Sequence, residues 1–442
     1  MQRFTEFVLY KYNFYTGDLV ICLGSANIIE GMKRLQAYKF RIEPNGEQQR
    51  TLRRIAGTCR FVWNKALALQ IANHQQGQKF VNHFDMCKWL PVWRRKPETL
   101  WLKETPSQLY QVVLKDLARA YKNFFEKRAA YPTFKKKGAS TSFCFPQGCE
   151  LDAVNRRIRF PKLGWLRYRK SRAVEGTIKN IIVSCVANKW YASIQTEREV
   201  AQPVHSSTSI VGIDLGVLRF ATLSDGTVFE PVNALGQHAE TLAKHQRYLS
   251  RKTKFSNNWK KQKQKISRLH HRVAHTRHDF LHKTSTLISK NHAMIVIEDL
   301  KVKNMSKSAS GTAEAPGRCV KAKSGLNKSI LDQGWGEFRR QLEYKQAWRG
   351  GEVLAIDPRN TSRTCPACRH VAAENRTTQA KFECVECGLA ENADLTAAMN
   401  ILRAGHARLA CQVNGAIMPS ATGTHRSERP HPEVYAVGVP VL

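Results

Sequence analysis

The chain has 442 residues, room for two or three domains around a sizeable core, and its 42% hydrophobic content is ordinary for a globular protein. Lys and Arg number 71 against 35 Asp and Glu, and a net charge of +36 is costly to fold unless a polyanion neutralises it. The basic residues run through the whole chain rather than through one amphipathic helix, which argues against a membrane surface and for nucleic acid, whose phosphates release counterions when neutralised.

Residues 1–31 are rich in aromatics without clear periodicity, and with Glu6 and Asp18 they lack the apolar core of a signal peptide. From Met32 the pattern changes. Tyr38, Phe40 and Ile42 alternate with Lys39 and Arg41, which predicts a half-buried strand with one basic face, ended by Pro44-Asn45-Gly46. From Glu47 to about Ala130 the period is helical. Leu52, Ile55, Ala56, Cys59 and Val62 give one apolar face, and Leu109, Val113, Leu117, Tyr121 and Phe124 give another. Pro91, Pro97 and Pro106 divide the stretch into roughly four helices. Residues 131–208 return to short strands, among them Arg157–Phe160 and Trp190–Ile194.

The apolar run Ser209–Ile213 predicts a buried strand closed by Asp214, then a hairpin turning at Ser224-Asp225-Gly226. Residues 237–290 predict basic helices. Between Arg251 and Lys283 there are eleven Lys and Arg and one acid, Asp279. A charge run is ordinarily a solvated face. This one lacks acids to pair with, so phosphate contact is the better reading, carried by Arg251, Lys252, Lys254, Lys260, Lys261, Lys263, Lys265, Arg268 and Arg272. His270, His271, His275, His278 and His282 are expected to add to its basic potential. A second apolar run, Ala293–Ile297, closes at Glu298. Residues 306–329 are mostly Ser, Gly, Ala and Lys and predict a mobile loop. A helix at about 335–349, a strand at 352–356 and an alanine-rich helix opening at Asp394 follow, with Gly405 as C-cap and a loose tail over 406–442.

Cys365-x2-Cys368 and Cys384-x2-Cys387, fifteen residues apart, offer four thiolates to a tetrahedral zinc ion with no open position, a structural rather than a catalytic site. The other cysteines show no disulfide framework, and no apolar stretch reaches transmembrane length, so a reducing cytoplasm is expected. The acids are individually weak signals. Asp214 suits the start of a turn, and Asp394 suits the first turn of a helix. Glu298 is stronger, since a carboxylate at the mouth of a buried sheet needs a cation. Their common address, at strand ends and a helix start around one sheet, is what counts. Three carboxylates there repel one another unless divalent cations sit among them, and two Mg2+ ions can activate water and stabilise the leaving oxygen of a phosphodiester.

Several segments resemble the OrfB/TnpB proteins of insertion-sequence transposons. They are Ile213-Asp214-Leu215-Gly216, Phe220–Gly226, Ile297-Glu298-Asp299-Leu300, Gly334–Phe338, Asp357–Ser362, the cysteine pairs and Asn392-Ala393-Asp394. Tyr38–Arg41 and Arg60–Asn64 extend the resemblance to most of residues 32–405. It implies an α/β, RNase H-like (RuvC) nuclease related to type V CRISPR effectors, in the prokaryotic cytosol at the nucleoid. Its partners would be a guide RNA from the transposon end and double-stranded DNA cut beside a target-adjacent motif; no membrane is involved. By motif position Asp214, Glu298 and Asp394 match the catalytic magnesium-binding carboxylates, and Cys365, Cys368, Cys384 and Cys387 match the ligands of one zinc ion. The implied division is a non-homologous extension (1–31), wedge strands (32–45 and 131–208) around a helical recognition domain (46–130), RuvC segments I and II (209–360), the zinc ribbon (361–391), RuvC segment III (392–405) and the tail. A strand-transfer transposase using the same acids and a non-cleaving RNA-guided regulator are the alternatives.

Overall fold

The structure, a computed structural model, describes residues 8–12, 19–23, 31–138 and 141–413. Within the sequence-defined extension, β1 (Val8–Tyr12) and β2 (Leu19–Leu23) pair as an antiparallel hairpin.

The predicted basic-faced strand is β3 (Met32–Glu43). Its alternation buries Tyr38, Phe40 and Ile42 and leaves Lys39 outside. Asn45 then caps α1 (Gly46–Gln75): its side chain accepts from the Gln48 N–H at 2.8 Å, and the Gln48 side chain accepts from the Asn45 N–H at 3.0 Å. α2 (His83–Arg95), a 3-10 segment (Pro97–Glu104) and α3 (Ser107–Phe125) complete the helical stretch. β4 (Ser142–Phe145), β5 (Glu150–Asp152), β6 (Arg157–Phe160), β7 (Gly164–Tyr168), β8 (Thr177–Val186) and β9 (Lys189–Val200) join β3 in a seven-stranded sheet of order β4-β8-β9-β3-β7-β6-β5. Not all of these strands are short: β9 has 12 residues and pairs along nearly all of β3, from Met32↔Val200 to Ile42↔Trp190. Phe40, Phe160 and Ile194 of this sheet and Leu52, Val62, Leu109 and Leu117 of the helices share one core.

The second sheet begins with an antiparallel meander, β10 (Ile210–Asp214), β11 (Ala221–Leu223) and β12 (Val228–Phe229). α4 (Ala239–Ser250) and α5 (Asn257–Asn291) lead to β13 (Met294–Glu298), which lies parallel to β10. α6 (Val302–Met305), α7 (Val320–Gln333) and α8 (Trp335–Arg349) lead to β14 (Glu352–Ile356), parallel to β13, giving the order β12-β11-β10-β13-β14. A two-stranded ribbon, β15 (Lys381–Glu383) and β16 (Ala390–Asn392), precedes α9 (Ala393–Val413). The period of two along β13 sets the layers. Ile295 and Ile297 pack with Leu281, Ile288, Phe338 and Leu342 of α5 and α8, whereas Val296 packs with Ile401 of α9.

Two expectations are corrected here. Gly405 does not end its helix: α9 continues through Val413, so the loose tail does not start at 406, and 414–442 lie outside the described residues. A Cβ at Gly405 would strike the Val296 side chain, and one at Gly212 would strike the Ala398 carbonyl, so both glycines serve close packing of α9 on β10 and β13. The 306–329 segment is half helix, since α7 starts at Val320. Ile330 packs α7 into the core of the second sheet, and polar contacts hold the rest of it. Lys323 Nζ donates to the Met305 carbonyl at 2.7 Å, Asn327 Nδ2 to the Ser306 carbonyl at 3.1 Å, and Arg277 pairs with the buried Asp332 at 2.8 Å.

Candidate active site and cysteine centre

An acid that ends an apolar strand is carried to the rim of the sheet with its backbone still fixed by the ladder. Asp214 closes β10 and Glu298 closes β13; the strands are parallel neighbours paired through Ile213↔Ile297, so the two acids leave the sheet side by side. Asp394 reaches the same end from above. Asn392 caps α9, its Oδ1 accepting from the N–H groups of Asp394 at 3.0 Å and Leu395 at 3.3 Å, and α9 crosses the sheet on β10. Burial first, and then the charges of Glu298 and Asp394, push the Asp214 carboxyl up to about 7, against the pull of Arg376 and the Leu215 N–H. Burial likewise raises Glu298, against a hydrogen bond from Thr361 and the charge of Arg376. Asp299, the next residue, is exposed and pairs with Arg339 at 2.5 Å.

Arg376 is a member of this site that the sequence reading missed. Its guanidinium stands 3.6 Å from Asp394 Oδ1 and donates to the Gln379 carbonyl at 3.1 Å. It lies among the fifteen residues between the cysteine pairs, where neither spacing nor periodicity marks it. A cleft of about 170 Å³ opens beside Asp394, lined by Gly216, Leu218, Arg219, Gln379 and Asn392. It lies between the β10–β11 loop and the ribbon, and Arg219 lines it.

Among the described residues, the one group of three or more metal-ligating side chains gathered within 4.8 Å is Cys365, Cys368, Cys384 and Cys387. Sulfurs about 2.3 Å from a tetrahedral ion stand about 3.8 Å apart. Here Cys365 and Cys387 are 3.5 Å apart, as are Cys368 and Cys384, so the set fits zinc. Burial pushes the Cys365 thiol up, but the Cys368 and Ala367 N–H groups outweigh it and lower it, while shared hydrogen bonds with the other three sulfurs raise Cys368. The carboxylates form no group as tight. The burial of Asp214 and Glu298, the repulsion among the acids and Arg376 beside them fit a wider site for divalent ions.

The nine basic candidates lie at and after the C-terminus of α4 and along the first half of α5. All are exposed except Lys252, which is half-buried, and none pairs with a carboxylate of the described residues. Lys254 and Lys263 lie over Phe255 and Trp259. The histidines are a correction. His271 and His282 are half-buried, and His271 bonds the Tyr191 hydroxyl at 2.9 Å, whereas His275 and His278 are exposed. Burial above all, with Lys39, Lys189 and Lys345 nearby, lowers the pKa values of the four, His271 and His282 to about 4, which works against the added charge expected of them.

The Asp214 shift has a measurable consequence. A carboxyl whose folded pKa is raised costs stability as pH climbs from its unfolded value near 4 towards 7, and the full cost stands above that. Asp214→Asn removes it. In magnesium-free buffer Asp214→Asn is expected to melt higher than the parent by several degrees, with a larger gain at pH 8 than at pH 6. An equal or lower melting temperature at pH 8 would mean that the acids do not crowd one another.

Residues 193–309 match the family model described as a probable transposase, residues 335–401 one described as a Cas12f1-like TNB domain, and residues 32–79 one described as a helix-turn-helix domain. The last span is here a strand and one continuous 30-residue helix. Among curated proteins the chain is 61% identical over 380 residues to "Putative RNA-guided DNA endonuclease InsQ" of Escherichia coli, covering 86% of this chain and 94% of that one. It is 32% identical over 417 residues to "Putative RNA-guided DNA endonuclease" of Streptomyces pristinaespiralis, covering 92% and 98%. A shorter match, 39% over 71 residues, covers 16% of this chain and 17% of "CRISPR-associated endodeoxyribonuclease Cas12f1" of Sulfoacidibacillus thermotolerans.

Proposed function

The chain belongs to the OrfB/TnpB family of transposon proteins, and from that membership we propose that it is an RNA-guided DNA endonuclease cutting at Asp214, Glu298 and Asp394. The observation that carries the cutting half is the pair of acids closing adjacent parallel strands, with a third acid close enough to raise Asp214. The strand order, an antiparallel meander continued by two parallel strands between helical layers, supports an RNase H-like nuclease core.

Asp214, Glu298 and Asp394 are the residues that hold Mg2+ in this reading. Bound there, the ions supply an activated water and stabilise the oxygen that leaves the phosphodiester. The protein's share is geometric and electrostatic. The sheet fixes two carboxylates, the capped start of α9 fixes the third, and Arg376 offsets their charge and would be available to a DNA phosphate once the ions are bound. The cysteine set holds a structural zinc that keeps the ribbon carrying Arg376 against the acids. The cations from Arg251 to Arg272 contact nucleic-acid phosphates. Sequence is left to pairing between DNA and a guide RNA from the transposon end, with cleavage beside a short target-adjacent motif.

RNA dependence is the test. The protein is purified with its RNA, the RNA is digested, and cleavage is assayed before and after a matched guide is added. Cleavage of matched DNA should vanish on digestion, return with the guide, and spare unmatched DNA. Sequence-specific processing or end joining that survives complete RNA removal would favour a strand-transfer transposase instead.

A further inference from the structure

Glu298 accepts from one side-chain hydroxyl, and the backbone of the residue that bears it is held in turn. Thr361 Oγ1 donates to Glu298 Oε1 at 2.7 Å, and Thr361 is 8% exposed. The Pro358 carbonyl lies 3.1 Å from the same oxygen, but one proton goes to the nearer, charged acceptor. The backbone on either side of Ser362 and Arg363 is gripped by a single amide. Asn400 Nδ2 donates to the Thr361 carbonyl at 2.8 Å and to the Thr364 carbonyl at 2.6 Å. Asn400 is 4% exposed and sits on α9, six residues after Asp394. Thr364 is followed by Cys365, the first cysteine of the metal centre.

We propose that Thr361 is a positioning residue for Glu298, and that Asn400 sets Thr361 from α9, so that one hydrogen-bonded link aligns Glu298 with Asp394. It rests on the metal-nuclease reading above. A glutamate has three side-chain torsions, and its strand fixes only the backbone. The Thr361 hydroxyl restricts that freedom by occupying Oε1, which would leave Oε2 available to a divalent ion. Asn400 makes the placement of Thr361 depend on the helix that carries Asp394. The distance between the two acids is therefore governed by a buried contact rather than by loop 357–364 alone. A partner of this kind is worth roughly 10–100-fold in metal affinity.

Thr361→Val keeps the side-chain shape and deletes the donor; Thr361→Ser restores it. Asn400→Asp keeps the volume and replaces the amide donor with a carboxylate facing two carbonyls. Each is prepared as the protein–RNA complex, with Glu298→Gln as control. Four quantities are read: free Mn2+ by electron paramagnetic resonance in the absence of DNA, the Mg2+ concentration for half-maximal cleavage, zinc content, and binding of guide-matched DNA. Thr361→Val should weaken Mn2+ binding by roughly 10–100-fold and raise the Mg2+ requirement likewise, with zinc and DNA binding unchanged. Thr361→Ser should match the parent, and Asn400→Asp should move with Thr361→Val. Parent-like Mn2+ and Mg2+ behaviour in Thr361→Val, alongside an impaired Glu298→Gln, overturns this proposal alone. Loss of zinc or of DNA binding in Thr361→Val also overturns it, since the residue would then merely hold the fold. Unchanged Mn2+ binding and cleavage in Glu298→Gln overturn the metal reading itself.

Discussion

Complexes carrying Asp214→Ala, Glu298→Ala or Asp394→Ala are expected to bind guide-matched DNA within about twofold of the parent and to cut it at least roughly a thousandfold more slowly. The magnitude follows from what a metal-held carboxylate is asked to supply. A bound divalent ion contributes several kcal/mol of transition-state stabilisation, and each 1.4 kcal/mol is about tenfold in rate. Binding is spared because the acids sit at the rim of the second sheet, apart from the exposed cations of α5. None of the three losses should come from unfolding. Asp214 and Glu298 are carboxyls that the fold already strains to keep charged, as their raised pKa values record. Parallel cleavage and binding assays in Mg2+ check the set, and a variant that cuts at the parent's rate removes its residue from the centre.

Cys384→Ser is expected to reduce bound zinc from one equivalent to near zero and to abolish cleavage as fully as the loss of an acid. A structural zinc site contributes of order 10 kcal/mol to the folding of its segment, far more than a ribbon this small can draw from Phe382 and Leu389. Three active-site contacts hang on that ribbon. Arg376 follows the fully buried Asn375, whose side chain donates to the Arg363 carbonyl at 2.9 Å and accepts from the Val385 N–H at 3.0 Å. Thr361 leads into the first cysteine pair, and β16 runs directly into α9 and Asp394. Zinc analysis and a cleavage assay on the same preparation decide the matter. A zinc-free Cys384→Ser protein that cuts normally would uncouple the ribbon from the acids, and a parent protein without zinc would refute the assignment.

How much of this was legible in the sequence depends on how local the signal is. The alternation of Tyr38, Phe40 and Ile42 and the apolar runs ending at Asp214 and Glu298 are short-range patterns, and β3, β10 and β13 fall where they predict. The cysteine spacing is equally local, and the four sulfurs gather. Thr361, Arg376 and Asn400 were illegible because their partners lie 63, 18 and 39 residues away, and no residue near them in sequence reports the contact. Gly405 misled for a physical reason. Glycine ends helices where a left-handed turn is needed, but it also sits inside them where another backbone or side chain comes too close for a Cβ, and sequence alone does not separate the two. His271 and His282 misled similarly, since a basic helix shows its charges in sequence but not which of them are half-buried.

The closing of the sheet by α9 bears on how the protein is made. Synthesis delivers Asp214 first, Glu298 some eighty residues later and Asp394 only with the last helix described, which also covers Val296, Leu354 and Ile356. A growing chain already has the seven-stranded sheet and the cation-bearing α5 long before it has a third acid. On the function proposed above, the third acid is missing until translation has passed the start of α9, and a chain cut short before Ala393 would lack it.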